Sequence, residues 1–368
     1  MSTKIILCMI VKNESKIITR LLDSVLPIVN AISITDTGST DGTQDKIKEY
    51  CKLKEFKNIF IYEQVFENFG IDRTKSFNNC IETAKKLKYK LKNTYCLLLD
   101  ADMELIIDKT FKPKQLTEIL YMIEQKNNMI NYSNIRLLRL DKQFKCIGCT
   151  HEFWECLDKN DNEIVSNKIL NLIIIDHEDG GCKDTKFERD IKLLTQGLLD
   201  EPDNSRYMFY LAQSYRDIGN NLLAIEYYRM NVISDSWDEE KFYSMLMIGR
   251  LSENRIDIFT WLLNAYEYRP QRAEPLYYLG KFYSDNRLYN QSYLFLNMAK
   301  NIKYPENDKL FIEYEIYKYK ILFELSIVAY YTIYKKEGYE ACKELLKMEN
   351  IPENIIELTK SNIKFYEK

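Results

Sequence analysis

The sequence has no run of about 18 apolar residues, so no membrane-spanning helix is expected, and the apolar stretch in its first residues, MSTKIILCMIVKNE, is too short for a signal peptide. It also lacks a charge excess: the formal net charge is -3, which excludes broad electrostatic attraction to nucleic acid or anionic lipid. Nine cysteines are present without a pair of CxxC motifs, which excludes zinc-finger spacing. The one approach to it, Cys146 and Cys149 in CIGC, reads as strand residues, with metal or redox work as the alternative. An odd cysteine count with no leader points to reduced thiols in a cytoplasmic setting. Histidine is scarcer still. The chain has two, His151 and His177, which draws attention to each.

What is present is an ordinary globular composition, 46% hydrophobic over 368 residues, enough for two domains with cores of their own. The bias toward 28 tyrosines against 11 glycines and 7 prolines carries no functional reading.

The first hundred residues alternate strand and helix signals. KIILCMIV (4–11) is the unbroken apolar run of a strand buried on both faces. Ile17, Ile18, Leu21, Leu22, Val25 and Leu26 repeat at helical spacing up to Pro27. AISITD (31–36) predicts a second strand, a helix follows from about Thr43, and IFIYEQV (59–65) predicts a third strand. A helix is expected over roughly 73–88 and a fourth strand at YCLLLD (95–100). This order implies an α/β, doubly wound, Rossmann-like sheet with ligands at the carboxyl ends of its strands, where Asp36 and Asp100 fall. Strand signals at NIRLLRL, FKCIGC and KILNLIIID, between 134 and 176, then predict a mixed or antiparallel extension.

Beyond Lys183 the signals are helical, with a 34-residue period. Leu211, Met245 and Leu279 keep it, as do Tyr228, Leu262 and Leu296, and Asn231, Ala265 and Ala299. This is the tetratricopeptide pattern, an irregular bundle being the alternative. The expected organisation is an α/β domain over 1–183, repeats over 184–306 (at about 205–238, 239–272 and 273–306), and capping helices over 307–368.

In DAD (100–102), extended backbone would turn Asp100 and Asp102 to the same side, where carboxylates suit Mg²⁺ or Mn²⁺ beside a diphosphate. Acidic pairs are also common in solvated turns, so the motif alone is weak. Together, CMIVKNES, ITDTGSTDGT, FGIDRTKSFNNCIETA and LLLDADMEL resemble the family 2 glycosyltransferases of the GT-A fold. With the helical repeats added, the chain resembles a subgroup that includes bacteriocin S-glycosyltransferases and bacterial and giant-virus homologues.

The resemblance implies a metal-dependent inverting glycosyltransferase with a nucleotide-sugar donor, expected to be UDP-linked, and a protein, peptide or glycan acceptor. By position it implies base or ribose contacts for Asp36, with Asp41 nearby and Asn13 and Glu14 at the lip of the base pocket. It places Arg73, assisted by Lys75, on the nucleotide or its diphosphate, Asp100 on ribose or sugar, and Asp102 on the metal. His177 is the candidate third ligand. Lys183, Lys186 and Arg189 are candidates for phosphate contacts, or else a solvated helix face. Glu152, in the motif HEFWE, is the candidate general base, with Asp179 second, and His151 and Trp154 are assigned to the acceptor side. For Arg73 the alternative is a surface ion pair at a helix start.

Two other functions compete: an inactive domain on a protein-binding repeat scaffold, and a nucleotidyltransferase. The second requires a glycine-rich phosphate loop after strand one, and VKNES is not one. The repeat surface suits either an acceptor peptide or a homodimer. The expected location is the cytoplasm, of a host if the source is viral, or a virion.

Overall fold

A computed structural model describes residues 2–127, 131–158, 167–180 and 186–367. They form two compact units that divide between Leu193 and Leu194. The expected junction at 183/184, and Lys183 with it, lies outside the described residues.

The first unit runs β1 (Lys4–Val11), α1 (Ile18–Val25), β2 (Ala31–Asp36), α2 (Thr43–Leu53), β3 (Ile59–Glu63), α3 (Phe69–Lys86) and β4 (Thr94–Leu98). It continues through β5 (Met103–Ile107), β6 (Leu120–Lys126), β7 (Asn131–Arg139), β8 (Phe144–Ile147), β9 (Phe153–Cys156) and β10 (Asn167–Asp176) into α4 (Lys186–Asp200). Eight strands make one mixed sheet in the order β3-β2-β1-β4-β7-β6-β10-β5, in which the first four are parallel. A two-stranded sheet, β8-β9, stands apart.

The unbroken apolar character of β1 has a direct cause. Ile5, Leu7 and Met9 pack with Leu21 and Leu22 of α1, while Ile6 and Cys8 pack on the other face with Phe77, Cys80 and Ala84 of α3. Covered on both faces, the strand from Ile5 to Met9 has no position at which a polar residue reaches water.

The expected extension at 134–176 is present in the sheet as β7 and β10, joined by β5 and β6, whereas the strand at FKCIGC, β8, pairs only with β9 in the separate two-stranded sheet. β5 changes the reading of the DAD motif. Residues 100–103 are not extended: the Met103 N–H donates to Asp100 O at 3.0 Å, closing a turn that reverses the chain. β4 and β5 stand fourth and eighth in the sheet, yet only the residues between Leu98 and Met103 join them. Five residue steps reach at most about 18 Å, and four strand spacings need about 19 Å in a flat sheet. The sheet therefore curls into a half-barrel that brings β5 back beside the end of β4.

In the second unit, three helical hairpins occupy the spans that the 34-residue period marks: α5 (Ser205–Asp217) with α6 (Asn221–Ile233), α7 (Asp238–Leu251) with α8 (Arg255–Tyr268), and α9 (Glu274–Asp285) with α10 (Tyr289–Lys300). Asn204, Asn220 and Asn254 cap α5, α6 and α8 through their side-chain oxygens. The periodic positions Tyr228, Leu262, Leu296, Asn231, Ala265 and Ala299 are all fully buried or nearly so. Hairpin packing also needs small residues: a Cβ on Gly280 would lie 2.5 Å from Leu296 Cγ. α11 (Ile321–Val328), α12 (Lys335–Leu345) and α13 (Glu353–Tyr366) complete the unit. No described helix is long and apolar enough to cross a membrane.

Candidate active site

The first unit carries a cleft of about 630 Å³ at the carboxyl ends of β1, β2, β4 and β10, where an open α/β sheet holds its ligands. Its walls come from the segments after those strands, from the start of α3, from residues 150–152 before β9 and from the first turn of α4. Seven carboxylates line it against four cationic side chains.

Arg73 organises the centre. Its Nη1 lies 2.8 Å from Asp100 Oδ1, and its Nε donates to Glu152 Oε1 at 2.6 Å. The guanidinium is largely buried, at 17% side-chain exposure, and burial works against its charge; Asp100 and Glu152 outweigh that and raise its pKa. Asp100 responds in the opposite sense. Burial pushes its carboxyl up, but Arg73 and then Arg136 hold it below the ordinary value. Arg136 also donates to Gln125 Oε1 at 2.7 Å, and Gln125 Nε2 donates to Asp176 Oδ2 at 2.8 Å, so a buried polar chain links two acids of the cleft.

Local sequence explains how Arg73 reaches Glu152. Asn68 caps α3, its Oδ1 accepting from the Ile71 N–H at 2.9 Å, so the helix starts earlier than the apolar pattern alone predicts. Two residues on, α3 lies directly against the β8–β9 loop, where a Cβ on Gly70 would stand 2.4 Å from Gly148 O. The Phe69 N–H donates to Cys149 O at 3.1 Å, and Thr74 Oγ1 accepts from the Cys146 N–H at 2.9 Å. Gly70→Ala must therefore push a backbone carbonyl away, at a cost of about 1–3 kcal/mol. The expected outcome is a lower melting temperature together with weaker donor binding. A variant with wild-type values for both would show that this contact positions nothing.

At the opposite end Thr37 lines the cleft and Asp36, next to it, does not: it is 1% exposed, and its Oδ1 accepts from the N–H groups of Gly38 and Ser39 at 2.8 and 2.7 Å. Its Oδ2 is buried with no partner among the described residues, an acceptor that a ligand N–H or O–H would satisfy. Asn13 and Asp41 secure this end rather than line the cleft. Asn13 Oδ1 accepts from the Thr40 N–H at 2.8 Å, and Asp41 accepts from the N–H groups of Ser15 and Thr43, each at 3.0 Å.

Burial opposes ionisation of Asp41, but hydrogen bonds from Thr43 and Ser15 hold its pKa at about 2. An unfolded aspartate titrates near about 3.9, so the stability Asp41 contributes is complete above that pH and disappears as pH falls through about 2. Asp41→Asn should melt below the wild type at neutral pH, and the gap should close between about pH 4 and 2. Melting curves across that range check it; a gap that stays constant contradicts it.

Of the remaining residues singled out in the sequence, Glu14, Arg73, Asp100, Asp102, His151, Glu152, Lys186 and Arg189 line the cleft, and four others are placed elsewhere. The His177 ring meets Glu104 Oε2 at 2.9 Å; its backbone N–H donates to Asp102 O at 3.1 Å, so it supports the turn. Asp179 is held by both terminal nitrogens of Arg20, at 2.8 and 2.6 Å, and that pairing lowers its pKa. Lys75 pairs with Glu67. Trp154 packs on Phe77, ring centroids 5.7 Å apart, because the alternation of β9 turns it inward while Phe153 and Glu155 face outward. The flat apolar surface in the cleft is instead that of Phe66 and Phe69, the latter lying under the guanidinium groups of Arg189 (5.0 Å) and Arg73 (6.0 Å).

Among the described residues, one group of three or more metal-ligand atoms converges, Cys8, Cys80 and Cys96, buried in the packing of α3 on the sheet. Cys146 and Cys149 are both buried and not disulfide-bonded, the first on β8 as expected of a strand residue.

Sequence reading missed Arg20, Arg136, Asp176 and Asp190. Arg20 gave no signal, since it reads as the polar side of α1. Arg136 did give one: a charge inside the apolar run NIRLLRL needs a buried partner. Asp190 is 2% exposed, burial raises its pKa against the pull of Arg189 and Lys186, and Thr150 Oγ1 donates to it at 3.3 Å.

Comparison with known proteins agrees with this geometry. Residues 6–142 match the family model "Glycosyl transferase family 2". The SPbeta prophage-derived glycosyltransferase SunS of Bacillus subtilis (strain 168) is 27% identical over 238 residues, covering 61% of this chain and 52% of that protein. The glycosyltransferase SunS of Bacillus phage SPbeta gives the same values. The chain thus spans about half the length of the curated relatives it matches. Among solved structures, MamA aligns at 18% identity and a TM-score of 0.37, over 49% of this chain and 95% of that one. A thermophilic TPR protein of Thermus thermophilus aligns at 14% identity and a TM-score of 0.31, over 49% and 91%. With strands, cleft and family match coinciding, the N-terminal unit has a GT-A-like mixed sheet and is similar to glycosyl transferase family 2 over residues 6–142.

Proposed function

We propose that the protein transfers a sugar from a nucleotide-sugar donor, uridine diphosphate being the expected leaving group, to a protein, peptide or glycan acceptor with inversion at the anomeric carbon. The observation that carries this is the Arg73 centre, which gathers Asp100 and Glu152 beside Asp102 in a cleft of the family 2-like domain. An inactive scaffold would have no need to keep two acids paired to one buried arginine.

The donor set fits a hard dication. With seven carboxylates against four cations, the cleft repels a diphosphate unless a cation joins it. Asp102, which lines the cleft beside Asp100, would hold Mn²⁺ or Mg²⁺. Such an ion supplies charge stabilisation to the departing diphosphate. The unpartnered Asp36 oxygen suits a donor group of the base or ribose, and Arg73, Lys186 and Arg189 supply positive charge along the cleft.

Glu152 is the general base of this reading, receiving the acceptor's proton as the acceptor attacks. Asp179 is less suited, since it is held by Arg20 and is not among the residues that line the cleft, whereas Glu152 is. Phe66 and Phe69 replace Trp154 as the surface for stacking base, sugar or acceptor, with His151 at the same wall. A panel of nucleotide sugars assayed with Mn²⁺ for donor hydrolysis and thermal shift tests the proposal. Turnover or stabilisation by one donor class supports it, and neither with any donor refutes it.

A further inference from the structure

The helical unit has its own recognition feature. The first helices of the three hairpins, α5, α7 and α9, share a face, and residues 308–313 cross it as a non-helical segment. The side chains on that face bind the segment's main chain. Glu239 Oε2 accepts from the N–H groups of Lys309 and Leu310 at 2.7 and 2.6 Å. Arg272 donates to Leu310 O and Phe311 O, each at 3.3 Å, and Glu274 Oε1 accepts from the Glu313 N–H at 3.3 Å.

Side chains of the segment are read as well. Asp308 pairs with Arg269 at 2.6 Å and lies 3.4 Å from Arg272. Phe311 packs on Tyr243 and Phe209, centroids 4.8 and 6.4 Å away. Glu313 accepts from the Tyr278 hydroxyl at 2.6 Å and from Arg250 at 3.0 Å. The reading groups are set in advance: Arg272 and Glu274 are fully buried and bond to each other at 2.8 Å. Phe311 takes φ of +45°, a left-handed conformation that a bulky residue holds only where its surroundings impose it.

Carboxylates on amide N–H groups, guanidinium on carbonyls and rings under an aromatic side chain are the elements by which a groove binds an extended peptide. We infer that this face is a peptide-recognition groove whose occupant is the chain's own segment 308–313, with the pattern acid, two residues, aromatic, one residue, acid. A repeat surface would otherwise be the natural place for an acceptor peptide. Here that place is taken in cis, and an outside partner uses it only by displacing the segment. The inference does not depend on the glycosyltransferase reading.

The test uses the full chain with residues 307–313 replaced by a glycine-serine segment of equal length, and a synthetic peptide of residues 306–315. The variant is expected to remain helical but melt at a lower temperature. The peptide should bind it one-to-one and restore the melting temperature, while binding the wild type at least a hundredfold more weakly. A peptide carrying Phe311→Ala and Glu313→Gln should do neither. A helical variant that binds no peptide, or a wild type that binds it equally well, overturns the inference. If the variant does not fold, hydrogen exchange of the wild type decides. Protection of the Lys309, Leu310 and Glu313 amides comparable to α7 supports it; exchange at the rate of a solvated loop overturns it.

Discussion

Asp102→Asn is expected to lower transfer by two to three orders of magnitude while leaving the circular dichroism spectrum and melting temperature close to wild type. The magnitude follows from the several kcal/mol that a dication contributes to a leaving diphosphate. The fold is expected to be spared because backbone hydrogen bonds, which Asn leaves in place, close the turn. Asp102 is held through its backbone oxygen, which accepts from the His177 N–H at 3.1 Å and lies 3.4 Å from Arg20 Nη2. Metal-dependent donor binding, followed by calorimetry, should disappear in the same variant. Retained binding and turnover would remove Asp102 from the site.

Arg73→Met should act differently, damaging stability and chemistry together. It leaves the carboxylates of Asp100 and Glu152, 26% and 18% exposed, facing each other without their shared cation. Removing one member of a buried ion pair costs about 3–5 kcal/mol, and partial exposure here brings the expectation to about 2–4 kcal/mol. Adding Asp100→Asn and Glu152→Gln removes the repulsion. The triple variant is therefore expected to regain most of the melting temperature and none of the activity. Denaturant unfolding of the series separates the two effects: an Arg73→Met protein as stable as wild type would mean the ion pairs are solvated and weak, and restored activity in the triple variant would deny Arg73 and Glu152 their roles.

Much of this arrangement is legible in the sequence because it rests on local rules. β1 is apolar from Ile5 to Val11 since both faces of the sheet are covered, and the 34-residue period survives since each hairpin presents the same positions to the next. Arg73 and Asp100 stand out because they sit at a helix start and a strand end, where open sheets build sites. What stays hidden depends on where the chain goes next. The DAD motif reads as extended, and only the pairing of β5 with β10 shows that it must turn back within a few residues. Trp154 looks like a platform until the inward side of β9 is known. His177 lies in the right turn, and the direction of its ring is decided by Glu104, more than seventy residues away. The segment over the repeat face is likewise unreadable, since its partners come from three helices and the α8–α9 loop, which only the fold assembles.

A structure of the protein with uridine diphosphate and Mn²⁺ decides whether the cleft is a donor site. The nucleoside is expected at the Asp36–Thr37 end of the cleft, the metal on Asp102 and the diphosphate toward Arg73, Lys186 and Arg189. A nucleotide bound outside this cleft, or one held inside it with the metal away from Asp102, would contradict that assignment.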